Sequence, residues 1–148
     1  MSERSQVRFS DSGQLEPGIY LLAPDDVVAL FGQATARREQ LGRVFIEIVA
    51  RLRAAGIVRR RWLGGSFASR KPAPGDIDLW LLVSDASEAV TMSGPFADLF
   101  EHERAKVVYG ADIFWMTESG AAMILEKVLD CLQTTRDGRV RGIIEIAL

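Results

Sequence analysis

The sequence has one cysteine, one histidine and five prolines among its 148 residues. Cys131 has no partner for an internal disulfide, so a disulfide-stapled scaffold is excluded and a reducing compartment is expected. No apolar run approaches the roughly 20 residues needed to cross a bilayer. The polar stretch 1–14 lacks the apolar core of a secretion signal. The expected location is therefore cytoplasmic, with no membrane partner. No internal repeat or low-complexity tract is present, which excludes solenoids and disordered arrays. Neither sign of charge dominates: the formal net charge is −2, giving no global pull toward nucleic acid.

What is there is the composition of an ordinary soluble domain, 48% hydrophobic and 26% charged. A chain of this length forms one compact unit with a real core. Residues 1–14, rich in Ser, Gln and charge, are expected to be loosely ordered, and 15–148 to form the domain.

The clearest element is a helix over 37–55, where Leu41, Val44, Phe45, Ile48, Leu52 and Ala55 form one apolar stripe. Arg43, Glu47 and Arg51 stand opposite it at four-residue spacing and are expected to pair along the helix. A shorter helix opens at Pro24-Asp25-Asp26 and stops at Gly32. Strands are expected over 57–63 and 76–83, with one or two more over 106–116, broken near Gly110, and a last one over 140–147. A helical turn is placed around 96–100 and a helix over 119–132, with Leu125, Val128, Leu129 and Leu132 buried. This order predicts an α/β (α+β) domain, a mixed sheet of about four or five strands with helices against it.

The chemistry concentrates between Gly64-Gly65-Ser66 and Asp76-Ile77-Asp78. Residues two apart on a strand share a face, so Asp76 and Asp78 project together while Ile77, Leu79, Leu81 and Val83 enter the core. Two carboxylates on one face repel unless a cation lies between them, and an all-oxygen donor set suits magnesium better than zinc. Asp112 opens the apolar run Ile113-Phe114-Trp115-Met116, where a lone carboxylate would be costly. If the three converge, they can hold two metal ions. Gly64 and Gly65 permit a tight turn and close approach of a ligand to the backbone, where amides and the Ser66 hydroxyl can cradle phosphate. Arg70 and Lys71 follow as cations for a triphosphate.

Gly65-Ser66 followed by Asp76-Ile77-Asp78-Leu79, with a third Asp on a later strand, resembles the signature of the DNA polymerase β-type nucleotidyltransferase superfamily. From Leu15 onward the chain is similar to a group of small, stand-alone bacterial proteins of that superfamily. The similarity runs through Leu15-Glu16-Pro17-Gly18-Ile19, the central Gly-Ser-Phe and Lys-Pro motifs, and Arg136-Asp137-Gly138 through Arg141-Gly142-Ile143-Ile144-Glu145-Ile146.

The resemblance implies a minimal nucleotidyltransferase domain over 15–148. Asp76, Asp78 and Asp112 would be the metal ligands for about two Mg²⁺ ions, with Asp112 accepting the proton of the attacking hydroxyl. Gly64, Gly65 and Ser66 would hold an NTP, ATP being favoured. It implies transfer of an NMP to a hydroxyl, and for some relatives a toxin role with an antitoxin partner, but not the acceptor. Protein, RNA or a small molecule can serve, and a macromolecule (protein or RNA, not DNA) is expected first because the chain has few elements left to build a small-molecule pocket. Many members carry Arg directly after the Gly-Ser pair; here Phe67 stands there, which leaves phosphate neutralisation to Arg70 or Lys71. The alternative is a catalytically silent nucleotide- or partner-binding module of the same fold. Elsewhere, Arg59-Arg60-Arg61 reads as a solvated charge run, His102 as an exposed surface residue, and Cys131 as a small buried hydrophobe. Trp62, Trp80 and Trp115 read as core or sheet-surface packing, with Trp80 the best exception because alternation puts it on the same face as Asp78.

Overall fold

The computed structural model describes residues 7–147. Five strands form one mixed sheet in the order β1-β5-β2-β3-β4. They are β1 (Ile19–Leu22), β2 (Val58–Gly64), β3 (Ile77–Val83), β4 (Ala111–Thr117) and β5 (Ile143–Ile146). β2 lies antiparallel to both β3 and β5, whereas β1–β5 and β3–β4 are parallel pairs. The expected α+β class holds. Among the described residues no helix is long and apolar enough to cross a membrane.

Alternation along the strands assigns two faces. One carries Leu63, Ile77, Leu79, Leu81, Val83, Ile113, Ile144 and Ile146 into the main core, against α1 (Pro24–Phe31) and α2 (Ala36–Ala55). Leu41, Phe45, Ile48 and Leu52 of α2 are fully buried there, as their spacing predicts. The other face presents Trp62, Trp80, Leu82 and Met116, partly covered by α6 (Glu118–Ala121) and α7 (Leu125–Leu132). The expected 119–132 helix is thus two pieces. α7 has no fully buried residue: Leu125, Leu129 and Leu132 pack only partly against this smaller cluster.

Several expectations change in the folded chain. Residues 7–14 are tied down: Phe9 bridges Leu15, Gln14 bridges Ser69, and the Arg70 N–H donates to the Gly13 carbonyl at 2.9 Å. The first six residues lie outside the described part. β1, absent from the sequence reading, adds an edge strand beside β5. The region before Gly110 is helical, not extended, with α3 (Glu88–Met92), α4 (Ala97–Phe100) and α5 (His102–Tyr109) making the crossover from β3 to β4. The i,i+4 pair Ala105 and Tyr109 supplies the buried side of α5, and Gly110 closes it in the left-handed conformation at φ 65°. Arg51 does not pair along α2; it reaches Asp98 at 2.8 Å and also donates to the Tyr109 hydroxyl and the Pro95 carbonyl. Cys131 is exposed. Arg59 and Arg60 pair with Glu118 and Glu145, and buried Arg61 donates to the Ile146 carbonyl, so the arginine run serves the fold.

The loop between β2 and β3 is held by the start of α2. The Thr35 hydroxyl caps the helix by accepting from the Arg38 N–H and donates to the Pro72 carbonyl at 3.0 Å. Arg37 donates to the Pro74 and Gly75 carbonyls. Arg38, only 5% exposed, donates to the carbonyls of Phe31, Ser66, Phe67, Ser69 and Lys71. Burial pulls its guanidinium below the ordinary arginine pKa. Arg38→Leu would strand those carbonyls, with an expected loss of about 3 kcal/mol in urea denaturation. Arg38→Lys, with three donors in place of a planar fork, is expected to recover only part of it.

A candidate metal centre beside an aromatic cleft

β3 and β4 pair in parallel with Asp78 directly opposite Asp112, and Asp76 enters β3 one residue before its first member. Carboxylate oxygens of Asp76, Asp78 and Asp112 all lie within 4.8 Å of one another. The three residues expected to converge do so. All are partly buried, on the face that α6 and α7 leave partly uncovered.

Two side chains from α5 close on this cluster. The Lys106 ammonium bridges Asp76 and Asp112, donating to Asp112 Oδ2 at 3.1 Å and to Asp76 Oδ2. His102, one helical turn earlier, meets Asp112 Oδ1 through Nε2 at 2.9 Å and stacks on Phe114 with centroids 4.8 Å apart. His102 is exposed, as expected, and its ring is nonetheless bonded to the acidic cluster. The i,i+4 spacing of His102 and Lys106 was the available signal, visible only once 102–109 is taken as a helix.

Burial pushes the Asp78 carboxyl up to about 6, with the neighbouring charge of Asp76 and the contact with Asp112 adding to it. For Asp112 burial acts upward too, but contacts with Asp76, Lys106 and His102 outweigh it and hold this carboxyl below the usual range. The hydrogen bond to Asp76 is the chief reason that Lys106 holds its proton more firmly than an ordinary lysine. An all-oxygen cluster that already gathers an ammonium fits a hard divalent cation, with Asp76, Asp78 and Asp112 as its ligands.

Gly65 sits at φ +70°, and a Cβ there would stand 1.9 Å from Asp78 Oδ2. Only glycine lets the turn run this close to the carboxylate. Gly64 and Gly65 line a cleft of about 190 Å³ together with Asp78, Trp80, Phe114 and Arg141. The Ser66 carbonyl accepts from Ser69 Oγ at 2.6 Å as well as from Arg38, which fixes the turn that follows. Phe67, in the position where the resembled superfamily often has Arg, is fully buried in the main core.

The model of a family of unknown function, DUF6932, matches residues 7–147. The chain belongs to this family. No curated protein and no solved structure matches it.

Among the described residues, the side chains that bond the acidic cluster are His102 and Lys106, and neither Arg70 nor Lys71 of this DUF6932 chain does so. Arg70 lies over the Phe9 ring, 4.1 Å from its centroid, and is spent on the 7–14 segment. Lys71 is bound through its main chain, by Ser69 Oγ and by Arg38. Among the described residues the cations at the site are Lys106 on the triad, absent from the sequence reading, and Arg141 in the cleft, which flanks the last turn within reach of a phosphate but reads from the sequence as an ordinary exposed residue.

The raised Asp78 pKa carries a sign. The folded chain keeps this proton up to about pH 6, whereas an unfolded aspartate releases it near 3.8, so ionisation of Asp78 removes stability as pH rises between those values. Asp78→Asn should therefore melt higher than wild type in EDTA, by roughly 2–6 °C at pH 7.5. The gap should shrink as pH falls through about 6 toward 4. Melting curves of both proteins across that range check it.

Proposed function

We propose that this protein is a magnesium-dependent nucleotidyltransferase that moves an NMP from an NTP, ATP being favoured, to a hydroxyl acceptor on protein or RNA. The observation that carries the reading is the meeting of Asp76, Asp78 and Asp112, with ligand oxygens within 4.8 Å, beside a glycine turn that approaches Asp78 too closely for any Cβ. Three carboxylates in such proximity cost stability unless a cation is gathered there. The motif resemblance over the same residues points to the same chemistry.

In this reading the acceptor oxygen attacks the α-phosphorus, the bond from that phosphorus to the bridging oxygen breaks, and pyrophosphate leaves. Bound magnesium would neutralise the phosphate oxygens and hold the entering and leaving oxygens in line. Asp76 and Asp78 serve as ligands, and Asp112 completes the set and takes the proton of the attacking hydroxyl. The Gly65 turn and Ser66 receive the terminal phosphates. Arg38 acts at a distance by fixing the carbonyls of Ser66 and Phe67. His102 orients Asp112.

One observation favours a second reading. Lys106 already neutralises Asp76 and Asp112 from within the chain, as expected of a nucleotide- or partner-binding module without turnover, such as the antitoxin-paired relatives the resemblance implies. The two separate cleanly. Under the first reading, the Asp76→Asn/Asp78→Asn double variant loses magnesium-dependent pyrophosphate release from NTP by at least about 100-fold. Wild-type protein that binds NTP but releases no pyrophosphate in the presence of cell lysate would support the second reading, and full turnover by the double variant would eliminate the first. Labelled NTP added to lysate then shows whether protein or RNA takes up the label.

A further inference from the structure

The sheet face that carries the triad has a second row beside it. Gly64, Asp78 and Asp112 stand in one register row across β2, β3 and β4, and the next row is Trp62, Trp80 and Phe114. Trp80 and Phe114 stack at 5.1 Å with planes 23° apart, and His102 extends the stack beyond Phe114. The cleft opens over this shelf, with Leu132 from the end of α7 and Arg141 among its walls.

Two of the three tryptophans are engaged elsewhere. Trp62 donates its indole N–H to Glu145 at 3.0 Å and lies under Arg60, and Trp115 donates to the Phe100 carbonyl at 2.8 Å. Trp80, partly exposed at the edge of the smaller cluster, stacks on Phe114 and has no hydrogen bond from its indole N–H among the described residues. A stacking surface left half-exposed inside a cleft, one row from a polar cluster, is costly to hydrate and well suited to a planar ring.

Arg141 supplies the second, independent observation. Its Nε is buried with no hydrogen-bond partner. Its Nη2 lies 4.0 Å from where a Cβ of Gly64 would stand, facing the cleft. A half-buried guanidinium whose Nε has no partner calls for an anion, and a phosphate fits its planar fork. A volume of about 190 Å³ holds a ring system, not a whole nucleoside triphosphate.

We infer that this cleft is the base-and-phosphate subsite of a nucleotide, with Trp80, backed by Phe114, stacking the heteroaromatic ring and Arg141 binding a phosphate next to the triad. The inference takes its ligand class from the nucleotidyl-transfer reading. It adds the residues that would give affinity for the ring, and it replaces Arg70 and Lys71 with Arg141 as the phosphate cation. Stacking of this kind tolerates every base, so the shelf gives affinity more than choice of base.

The test is binding by calorimetry and tryptophan quenching, with α,β-methylene-ATP and, as a ring-free control, inorganic tripolyphosphate, both with Mg²⁺. Wild type, Trp80→Leu, Trp80→Phe and Arg141→Gln are compared after circular dichroism shows each to be folded. Trp80→Leu should raise the Kd for the nucleotide analogue roughly tenfold or more and leave that for tripolyphosphate unchanged. Trp80→Phe should retain most of the affinity. Arg141→Gln should weaken both ligands. Equal analogue affinity in wild type and Trp80→Leu, or tripolyphosphate binding indifferent to Arg141→Gln, overturns the inference while leaving nucleotidyl transfer standing. A wild type that binds the analogue through Trp80 but releases no pyrophosphate from ATP in the presence of cell lysate upholds the subsite and sinks the transfer reading.

Discussion

The loop that joins β2 to β3 contains Gly65, Pro72, Pro74 and Gly75 and lies outside any strand or helix, and several of its carbonyl oxygens are taken up by the first turn of α2. Thr35, Arg37 and Arg38 accept that task between them, reaching from Ser66 to Gly75. A guanidinium is the one side chain with enough donors in fixed directions to serve so many acceptors at once. Its charge is met by carbonyl dipoles rather than by a carboxylate, which keeps acidic groups free for the far side of the sheet. The Gly64-Gly65 turn precedes this loop and Asp76 follows it, so both walls of the candidate site inherit their positions from α2.

On the opposite face the energetics run the other way. Asp78 gains little from being where it is: burial and its acidic neighbour raise its pKa to about 6, and a neutral group would be more comfortable. The chain tolerates this because the Lys106 ammonium from α5 bridges Asp76 and Asp112, with His102 hydrogen-bonded to Asp112 beside it. Residues that cost stability and sit at the mouth of a cleft are the usual mark of a place where something binds. The buried Arg141 Nε without a partner, on the other wall of the same cleft, belongs to the same pattern.

Much of the site was legible in the chain because period-two alternation is robust inside a buried strand. Ile77, Leu79, Leu81 and Val83 are fully buried, which turns Asp78 and Trp80 outward without any knowledge of the neighbours. The partnership with Asp112 was legible as a cost, a carboxylate at the head of an apolar run. The cations were harder. Val107, Val108 and Tyr109 have the look of a strand, and that local preference hid α5, and with it Lys106 and His102. Arg141 follows a turn and precedes β5, where nothing in the local pattern tells which way a side chain points. Arg70 and Lys71 were attractive through proximity in sequence alone; a long-range bridge from Gln14 to Ser69 turns that part of the loop toward the 7–14 segment. Cys131 and the divided 119–132 helix fail for a related reason, since α7 covers a small cluster and its apolar stripe is only partly shielded.

The parallel pairing of β3 with β4 has a consequence for when the acidic centre comes into being. Parallel neighbours cannot be joined by a hairpin, so α3, α4 and α5 must all be traversed before Asp112 arrives opposite Asp78. During synthesis a nascent chain that has emerged only as far as Val83 already displays two of the acids and neither Lys106 nor His102. Closure of the crossover delivers the third acid and both of its companions in one event, because His102, Lys106 and Asp112 lie on consecutive elements hinged at Gly110. Assembly of the cluster is thereby tied to the pairing of β4 with β3, and a half-built domain is left without it.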